Sequence, residues 1–310
     1  MKLFSTIALI WLVAACTPRQ EPLNIGGGTY LGYQPLFLAA ATLQCPTCSD
    51  NTRFIGNKPI EFRTLQSTSS VLRLFRAREL DGALLSLDEA ISLHQQTAGD
   101  VCIVEVLSES TSADAIVARK GLDSHEPFVV GYEQSFVGAY LLVEAINKLD
   151  WHKSKITVRY VTPSQHVTTL LNGDVDAMVT FEPYLSRLLT DHTEVLFSSA
   201  NLPGEILNVM VLRKQAYLQH KDLIEWLMND YLASGVQAIK EASPVAVTYL
   251  EESMGLSKEN LLTSLQGLYF YTQANRHELS HNELEKKIKK ISENKGMESI
   301  QGTLKRCDAI

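Results

Sequence analysis

The chain has 310 residues, enough for two lobes of ordinary domain size, and its 45% hydrophobic and 20% charged residues are the composition of a globular protein. A formal net charge of −7 with no lysine- or arginine-rich block excludes a dedicated nucleic-acid surface. The densest basic run, 286–290, is interleaved with acids and reads as a solvated helix face.

Residues 1–15 read as an export signal, not as fold. Lys2 opens the segment, and 3–13 is apolar but short for a bilayer span. Val13-Ala14-Ala15 then supplies small residues ahead of Cys16. VAAC resembles a bacterial lipobox, in which the cysteine becomes the lipidated first residue of the mature chain; cleavage without lipidation is the alternative. Residues 16–22 then form a polar tether. Without Cys16 four cysteines remain, Cys45, Cys48, Cys102 and Cys307, an even number compatible with disulfides outside the cytoplasm. Cys45-Pro-Thr-Cys48 has no second pair or nearby histidine to complete a four-ligand metal site, so a local disulfide joining Cys45 and Cys48 is expected. Cys102 lies in an apolar run and reads as core, with pairing to Cys307 left open.

The mature chain opens on a strand at 23–25 and then Gly26-Gly27-Gly28-Thr29. Position 31 is leucine where a dinucleotide fingerprint needs glycine, so the glycines are read as letting backbone approach something in a cleft. Tyr30, Tyr33 and Pro35 precede an apolar helix at 36–43. A strand at 60–65 ends in Gln66-Ser67-Thr68-Ser69-Ser70 before a helix at 71–78; these hydroxyls fit helix capping alone or capping combined with binding. Residues 72–89 run helix, polar turn with Asp81, apolar strand, then the acids Asp88 and Glu89. After a strand at 101–107, Thr111-Ser112-Ala113-Asp114 leads into a strand at 115–119.

A second lobe follows, with a strand at 129–132, Glu133-Gln134-Ser135 opening a helix at 136–149, a strand at 156–161, and Thr162-Pro163-Ser164 starting another helix. The stretch 170–183, LLNGDVDAMVTFEP, then repeats the phrase of 72–89, with Asp176 answering Asp81 and Glu182-Pro183 closing the strand. An apolar run bounded by turn residues suits a parallel strand covered on both faces. Ligands of open α/β sheets sit at the carboxyl ends of strands, so the two phrases point to polar groups facing each other across a cleft. Strands at 195–197 and 209–212 come next, and from 222 onward the pattern is helical. No Pro- or Ser-rich linker intervenes. The expected division is a first lobe of 23–113 with 214–310 and a second of 114–213, joined by crossing strands.

His277-Glu278-Leu279-Ser280-His281 matches the zinc-protease pattern H-E-x-x-H, whose chemistry needs both histidines on one continuous helix. Ser280 followed by Glu283 is a capping box that starts a helix between them. No G-x-S-x-G or P-loop occurs, so neither catalytic residues, metal nor cofactor is expected.

In order, GYQPLFLA (32–39), RARELDGALLSLDEA (76–90), SADAIVARKGL (112–122), VVGYEQSFVGAYLL (129–142) and LNGDVDAMVTFEP (171–183) resemble the ABC-transporter substrate-binding proteins for nitrate, sulfonates, taurine and thiamine precursors. The resemblance spans about 23–270. It implies a type II periplasmic-binding-protein fold, two α/β lobes closing over one small molecule. It further implies a monomer that presents its ligand to an ABC permease from a lipid anchor outside the cytoplasm. It would place ligand contacts at Tyr33, Gln34, Ser67, Ser69, Asp88, Ser112, Asp114, Glu133, Ser135 and Glu182. The insert at 45–57 and the tail after 290 depart from the pattern.

Nitrate would want cations or several helix N-termini at the strand ends. The candidates are instead Asp88, Asp114, Glu133 and Glu182, with Tyr30, Tyr33, Tyr132, Phe136, Phe181 and Tyr184 near them in sequence. Carboxylates with aromatic rings suit an amine or a flat nitrogen heterocycle, pointing to a pyrimidine thiamine precursor or an amine-bearing compound, taurine among the sulfonates. Two other classes stay open: a sensor reporting ligand to a membrane receptor, and an enzyme similar to pyrimidine-precursor synthases, whose Cys-rich stretch and reactive histidine are not found.

Overall fold

The computed structural model describes residues 22–42, 53–55, 58–294 and 303–310. The export signal, Cys16, Cys45 and Cys48 lie outside the described residues.

The chain order is β1 (Leu23–Gly27), α1 (Gln34–Thr42), β2 (Arg53–Ile55), β3 (Lys58–Thr64), α2 (Thr68–Arg76), β4 (Gly82–Ser86), α3 (Leu87–Gln96) and β5 (Val101–Ser110). There follow β6 (Asp114–Arg119), β7 (Phe128–Tyr132), α4 (Phe136–Lys148), β8 (Ile156–Tyr160), α5 (His166–Leu171), β9 (Ala177–Phe181), α6 (Tyr184–Leu188) and β10 (Thr193–Ser198). β11 (Leu207–Arg213) then precedes α7 (Lys214–Gln219), α8 (Lys221–Trp226), α9 (Leu232–Lys240), α10 (Pro244–Met254), α11 (Lys258–Leu265), β12 (Leu268–Phe270) and α12 (His281–Asn294).

The strands form two sheets, one ordered β12-β5-β11-β4-β1-β3-β2 and the other β10-β6-β9-β7-β8. Both are mixed. β1 pairs in parallel with β3 and β4, while β11 runs antiparallel to β4 and β5. In the smaller sheet β9 is parallel to β7 but antiparallel to β6.

Period-2 alternation explains why the large sheet is covered twice. On β11, Met210 and Leu212 enter one core with Leu23, Ile25 and Leu84, and Val209 and Val211 enter another with Val71, Phe75 and Ile91. Fully burying each such side chain contributes roughly 1.5–3 kcal/mol, so near-continuous apolar strands can be wrapped on both faces.

The chain crosses between sheets twice, at 111–113 and at 199–206. Ser110 at the end of β5 and Ser199 on the return crossing join hydroxyl to hydroxyl at 2.8 Å, and the Asp114 amide donates to Ser110 Oγ at 3.1 Å. The second crossing corrects the expected boundary. Residues 207–213 hydrogen-bond to β4 and β5, so they belong to the large sheet and not with 114–206.

Two of the three opening glycines have a different reason from the expected one. A Cβ on Gly26 would lie 2.5 Å from Leu80 and one on Gly27 2.9 Å from Leu84, so both serve packing, and Gly28 alone has open space beside it. A tighter approach joins α1 to α9. A Cβ on Gly235 would sit 2.2 Å from the Pro35 carbonyl oxygen, which is backbone and cannot swing away. Gly235→Ala is expected to cost about 1–3 kcal/mol or more by overpacking; a urea midpoint matching wild type would refute this.

The tail is sewn to the large sheet. Cys102 and Cys307 form a disulfide, which resolves the pairing left open by the sequence. The Ile103 amide donates to the Lys305 carbonyl at 2.9 Å, Arg306 pairs with Glu105 at 3.3 Å, and Leu304 is buried. Ser280 caps α12 as expected: its amide and hydroxyl donate to Glu283, and the Glu283 amide donates back to Ser280 Oγ. The two histidines of the zinc-like motif therefore do not share a helix turn. No group of three potential metal ligands occurs among the described residues, and no helix there is long and apolar enough to cross a membrane.

Candidate functional site

The repeated phrase in the sequence has a structural half and a site-forming half. Asp81 Oδ2 accepts the Asn24 amide at 2.9 Å, fixing β1 beside β4. Asp176 Oδ2 likewise accepts the Val129 amide at 2.8 Å, fixing β7 beside β9, while its other oxygen pairs with Arg119 at 2.6 Å. The paired aspartates thus hold strand starts. The far ends of the strands converge elsewhere.

There, helix caps line up on both sides of a cavity of about 50 Å³, room for a few water molecules. Ser67 caps α2 by accepting the Ser70 amide, Ser86 caps α3 in a capping box with Glu89, and Ser135 caps α4 by accepting the Gly138 amide. The large sheet and its helices contribute Thr29, Tyr30, Tyr33, Ser67, Thr68, Ser86, Glu89 and Asn208. The smaller sheet contributes Asp114, Glu133, Ser135, Pro163 and Phe181. Among the described residues no lysine, arginine or histidine lines it.

Three buried carboxylates face this space. Glu89 binds its own N-cap amide, Ser86 N, at 3.0 Å. Asp114 Oδ2 accepts the Tyr30 hydroxyl at 3.4 Å. Glu133 reaches across from the smaller sheet and accepts the Thr68 amide at 3.2 Å, so a carboxylate occupies the N-terminus of α2. Ser69 makes a second bridge, its hydroxyl donating to the Gln134 carbonyl at 3.4 Å. Burial pushes Glu89 up to about 7, with Glu133 and Asp88 adding to the rise against the Ser86 bonds. Burial also raises Asp114 to about 6, helped by Glu182, and Glu133 to about 7, helped by Asp114. The phenols of Tyr30 and Tyr33 are held well above their usual value, by burial first and then by these carboxylates.

Of the expected ligand contacts, Tyr33, Ser67, Asp114, Glu133 and Ser135 come together around the cavity. Gln34 does not; it is buried in the first lobe, donating to the Tyr30 carbonyl at 3.2 Å and accepting the Tyr249 hydroxyl at 3.3 Å. Ser112 places its amide on the Gly267 carbonyl at 3.1 Å. Asp88 is displaced by its neighbour: on the first turn of α3 the capping-box geometry turns Glu89 to the cavity. Asp88 lines a separate cavity of about 390 Å³ with Tyr140, Glu144, Glu205, Lys287 and Lys290.

Glu182 is a tie. It accepts the Ser186 amide at 3.2 Å, the Ser186 hydroxyl at 2.8 Å and the Ser264 hydroxyl at 2.9 Å, joining the end of β9 to α11. Glu182→Gln is therefore expected to cost about 1–3 kcal/mol of stability through mismatched buried bonds while leaving ligand affinity unchanged. Chemical denaturation and a binding titration on the same variant check both halves.

Sequence reasoning missed Glu89 as a cavity residue and missed Asn208 altogether. The capping box was a readable signal for Glu89. Asn208 lies inside an apolar run whose other members are core, and no local pattern marks it.

A family model described as NMT1-like matches residues 17–234. The chain belongs to the NMT1-like family. No curated protein matches this NMT1-like chain by sequence. Solved structures do. The zinc-bound ligand-binding component of an ABC-type import system from Staphylococcus aureus is 14% identical with a TM-score of 0.69, covering 90% of this chain and 93% of that one. The alkanesulfonate-binding protein SsuA from Xanthomonas axonopodis pv. citri, bound to MOPS, is 14% identical with a TM-score of 0.68, covering 92% and 96%. The periplasmic aliphatic sulphonate binding protein SsuA from Escherichia coli is 15% identical with a TM-score of 0.65, covering 90% and 94%. At such identities the likeness establishes the fold, that of the periplasmic binding proteins, as the resemblance in the sequence implied. Of these neighbours of the NMT1-like chain, the first is the ligand-binding component of an ABC-type import system and the other two are sulfonate-binding proteins.

Proposed function

We propose that this chain is the extracytoplasmic solute-binding component of an ABC import system, and that it captures a small molecule carrying an amine or a basic nitrogen heterocycle. The observation that carries the reading is the convergence of Glu89, Asp114 and Glu133 from both sheets on a cavity that no cation lines among the described residues. A ligand nitrogen that is positively charged, or rich in N–H donors, satisfies acceptors that otherwise repel one another. Tyr30 and Phe181, edge to face with centroids 5.8 Å apart, offer rings to a flat or cationic group.

A bare anion fits poorly. The two helix N-termini nearest the cavity from the large sheet are already engaged by carboxylates, α2 by Glu133 and α3 by Glu89. A nitrate or a simple sulfonate would have to displace one of them next to the other two. A pyrimidine of the thiamine-precursor type, or a zwitterion such as taurine with its ammonium among the acids, meets the same geometry without that conflict.

In this reading 23–113 with 207–310 and 114–206 form two lobes, and contacts from both stabilise the closed form. A ligand held by one lobe alone would not favour closure. Cys16 carries a lipid anchor, so labelled fatty acid supplied to growing cells should enter the wild-type chain and not Cys16→Ser; a wild-type chain that takes up no label would refute the anchor. The test of function is a thermal-melt screen of the chain starting after Cys16, against pyrimidines, primary amines, taurine, alkyl sulfonates and nitrate. A ligand at about a hundred times its dissociation constant should add roughly 2.7 kcal/mol of stability. Stabilisation by nitrogen bases supports the reading, and stabilisation by nitrate or alkyl sulfonates alone overturns it.

A further inference from the structure

Asn208 stands at the cavity on β11, 4% exposed, with its two amide atoms in different circumstances. Oδ1 accepts the Tyr33 hydroxyl at 3.2 Å. Nδ2 has no hydrogen-bond partner among the described residues. Its polar neighbour is the Tyr30 hydroxyl, a contact that lowers that phenol's pKa but falls short of hydrogen-bond geometry, and that hydroxyl donates to Asp114. Buried side-chain donors are nearly always satisfied, because leaving one unpaired costs the desolvation of the group. Around it Ser67, Ser86 and Ser135 cap helices, and Tyr33 and Tyr30 donate to Asn208 and Asp114.

We propose that Asn208 is a specificity-determining residue of the cleft, donating from Nδ2 to a hydrogen-bond acceptor on the ligand. Resting on the nitrogen-base reading above, this makes the ligand two-ended. One end bears the positively charged nitrogen held by Glu89, Asp114 and Glu133; the other bears a carbonyl, sulfonyl or ring-nitrogen acceptor. A simple alkylamine leaves the Asn208 donor unpaired and is rejected for that reason, since a site built around a hydrogen bond discriminates against analogues lacking it.

Two matched pairs of probes test this. Benzylamine and 3-(aminomethyl)pyridine differ by one ring nitrogen, and n-pentylamine and 4-aminobutanamide differ by an amide acceptor at similar length. Dissociation constants measured by calorimetry at pH 8 on the chain starting after Cys16 should favour the acceptor-bearing member of at least one pair by tenfold or more. Asn208→Asp keeps an acceptor for Tyr33 but has no N–H, and Asn208→Leu removes both groups. Both variants should bring the ratio within a pair to near one, whatever their absolute affinities. A ratio near one in the wild type, or a ratio that survives in Asn208→Asp, overturns the proposal while leaving the nitrogen-base reading intact. Failure of all four amines to bind overturns both together.

Discussion

Without ligand the protein is expected to be more stable at pH 5 than at pH 8, the reverse of what ordinary salt-bridged carboxylates produce. Glu89 and Glu133 rise from 4.5 to about 7 on folding and Asp114 from 3.8 to about 6, chiefly because burial disfavours their charged forms. The folded chain therefore binds more protons than the unfolded chain between about pH 4 and pH 7. Stability is fully present below the unfolded values and is lost as pH rises through the folded ones. A rise from 4.5 to about 7 corresponds to on the order of 3 kcal/mol for one group.

Glu89→Gln should therefore stabilise the protein at pH 8 by up to that order and do little at pH 4. Glutamine Oε1 can still accept from the Ser86 amide, so the capping box is retained. Denaturant titrations of wild type and variant across this range measure the difference directly. A wild-type curve that is flat or rising from pH 5 to pH 8, or a Glu89→Gln variant less stable at pH 8, would contradict the assignment. The same chemistry links pH to capture: a cation entering among these carboxylates favours their ionised forms and displaces protons, so affinity for a nitrogen base should increase with pH through this window.

Reduction of the Cys102–Cys307 disulfide, or the Cys102→Ala/Cys307→Ala variant, should lower stability by about 2–5 kcal/mol. The residues joined are 205 apart in sequence, so the cross-link constrains most of the unfolded chain. It also holds Leu304 in the core around Val101, Ile103 and Leu284, and brings Arg306 to Glu105. Calorimetric melting with and without reductant should show a drop of several degrees in the wild type and a much smaller response in the double variant, which keeps only the short loop expected between Cys45 and Cys48. An unchanged wild-type midpoint under full reduction would show that the tail contributes nothing measurable.

Much of the architecture was legible because local signals and global fold agree. Apolar runs between turn residues located most strands of both sheets, and serines before helical periodicity located the caps of α2 and α4, whereas α3 and its Ser86 cap went unread. Short edge elements escaped. β12 covers Leu268–Phe270 only, and its place beside β5 is set by a partner more than 150 residues away in sequence. The return crossing at 199–206 was also misplaced, since β11 is buried throughout and its pattern alone does not say which sheet it joins.

The site was half legible. Strand-end acids could be named, but which of two adjacent acids turns inward depends on helix phase and capping: Glu89 faces the cavity where Asp88 was expected. Glu182 ends its strand as expected, yet Ser186 and Ser264 take up its oxygens. Asn208 became visible only when the carboxamide could be placed beside Tyr33.

The central claim is that the cleft selects positively charged or N–H-rich nitrogen compounds. Its most direct test is equilibrium dialysis of the chain starting after Cys16 at pH 8 against a mixture of matched nitrogen bases, sulfonates and nitrate, with mass-spectrometric and ion-chromatographic readout. A parallel chamber holds the Glu133→Gln variant. Selective enrichment of nitrogen bases by wild type, reduced at least tenfold in the variant, is the predicted result. Enrichment of sulfonates or nitrate over the bases, or equal enrichment by wild type and variant, would contradict it.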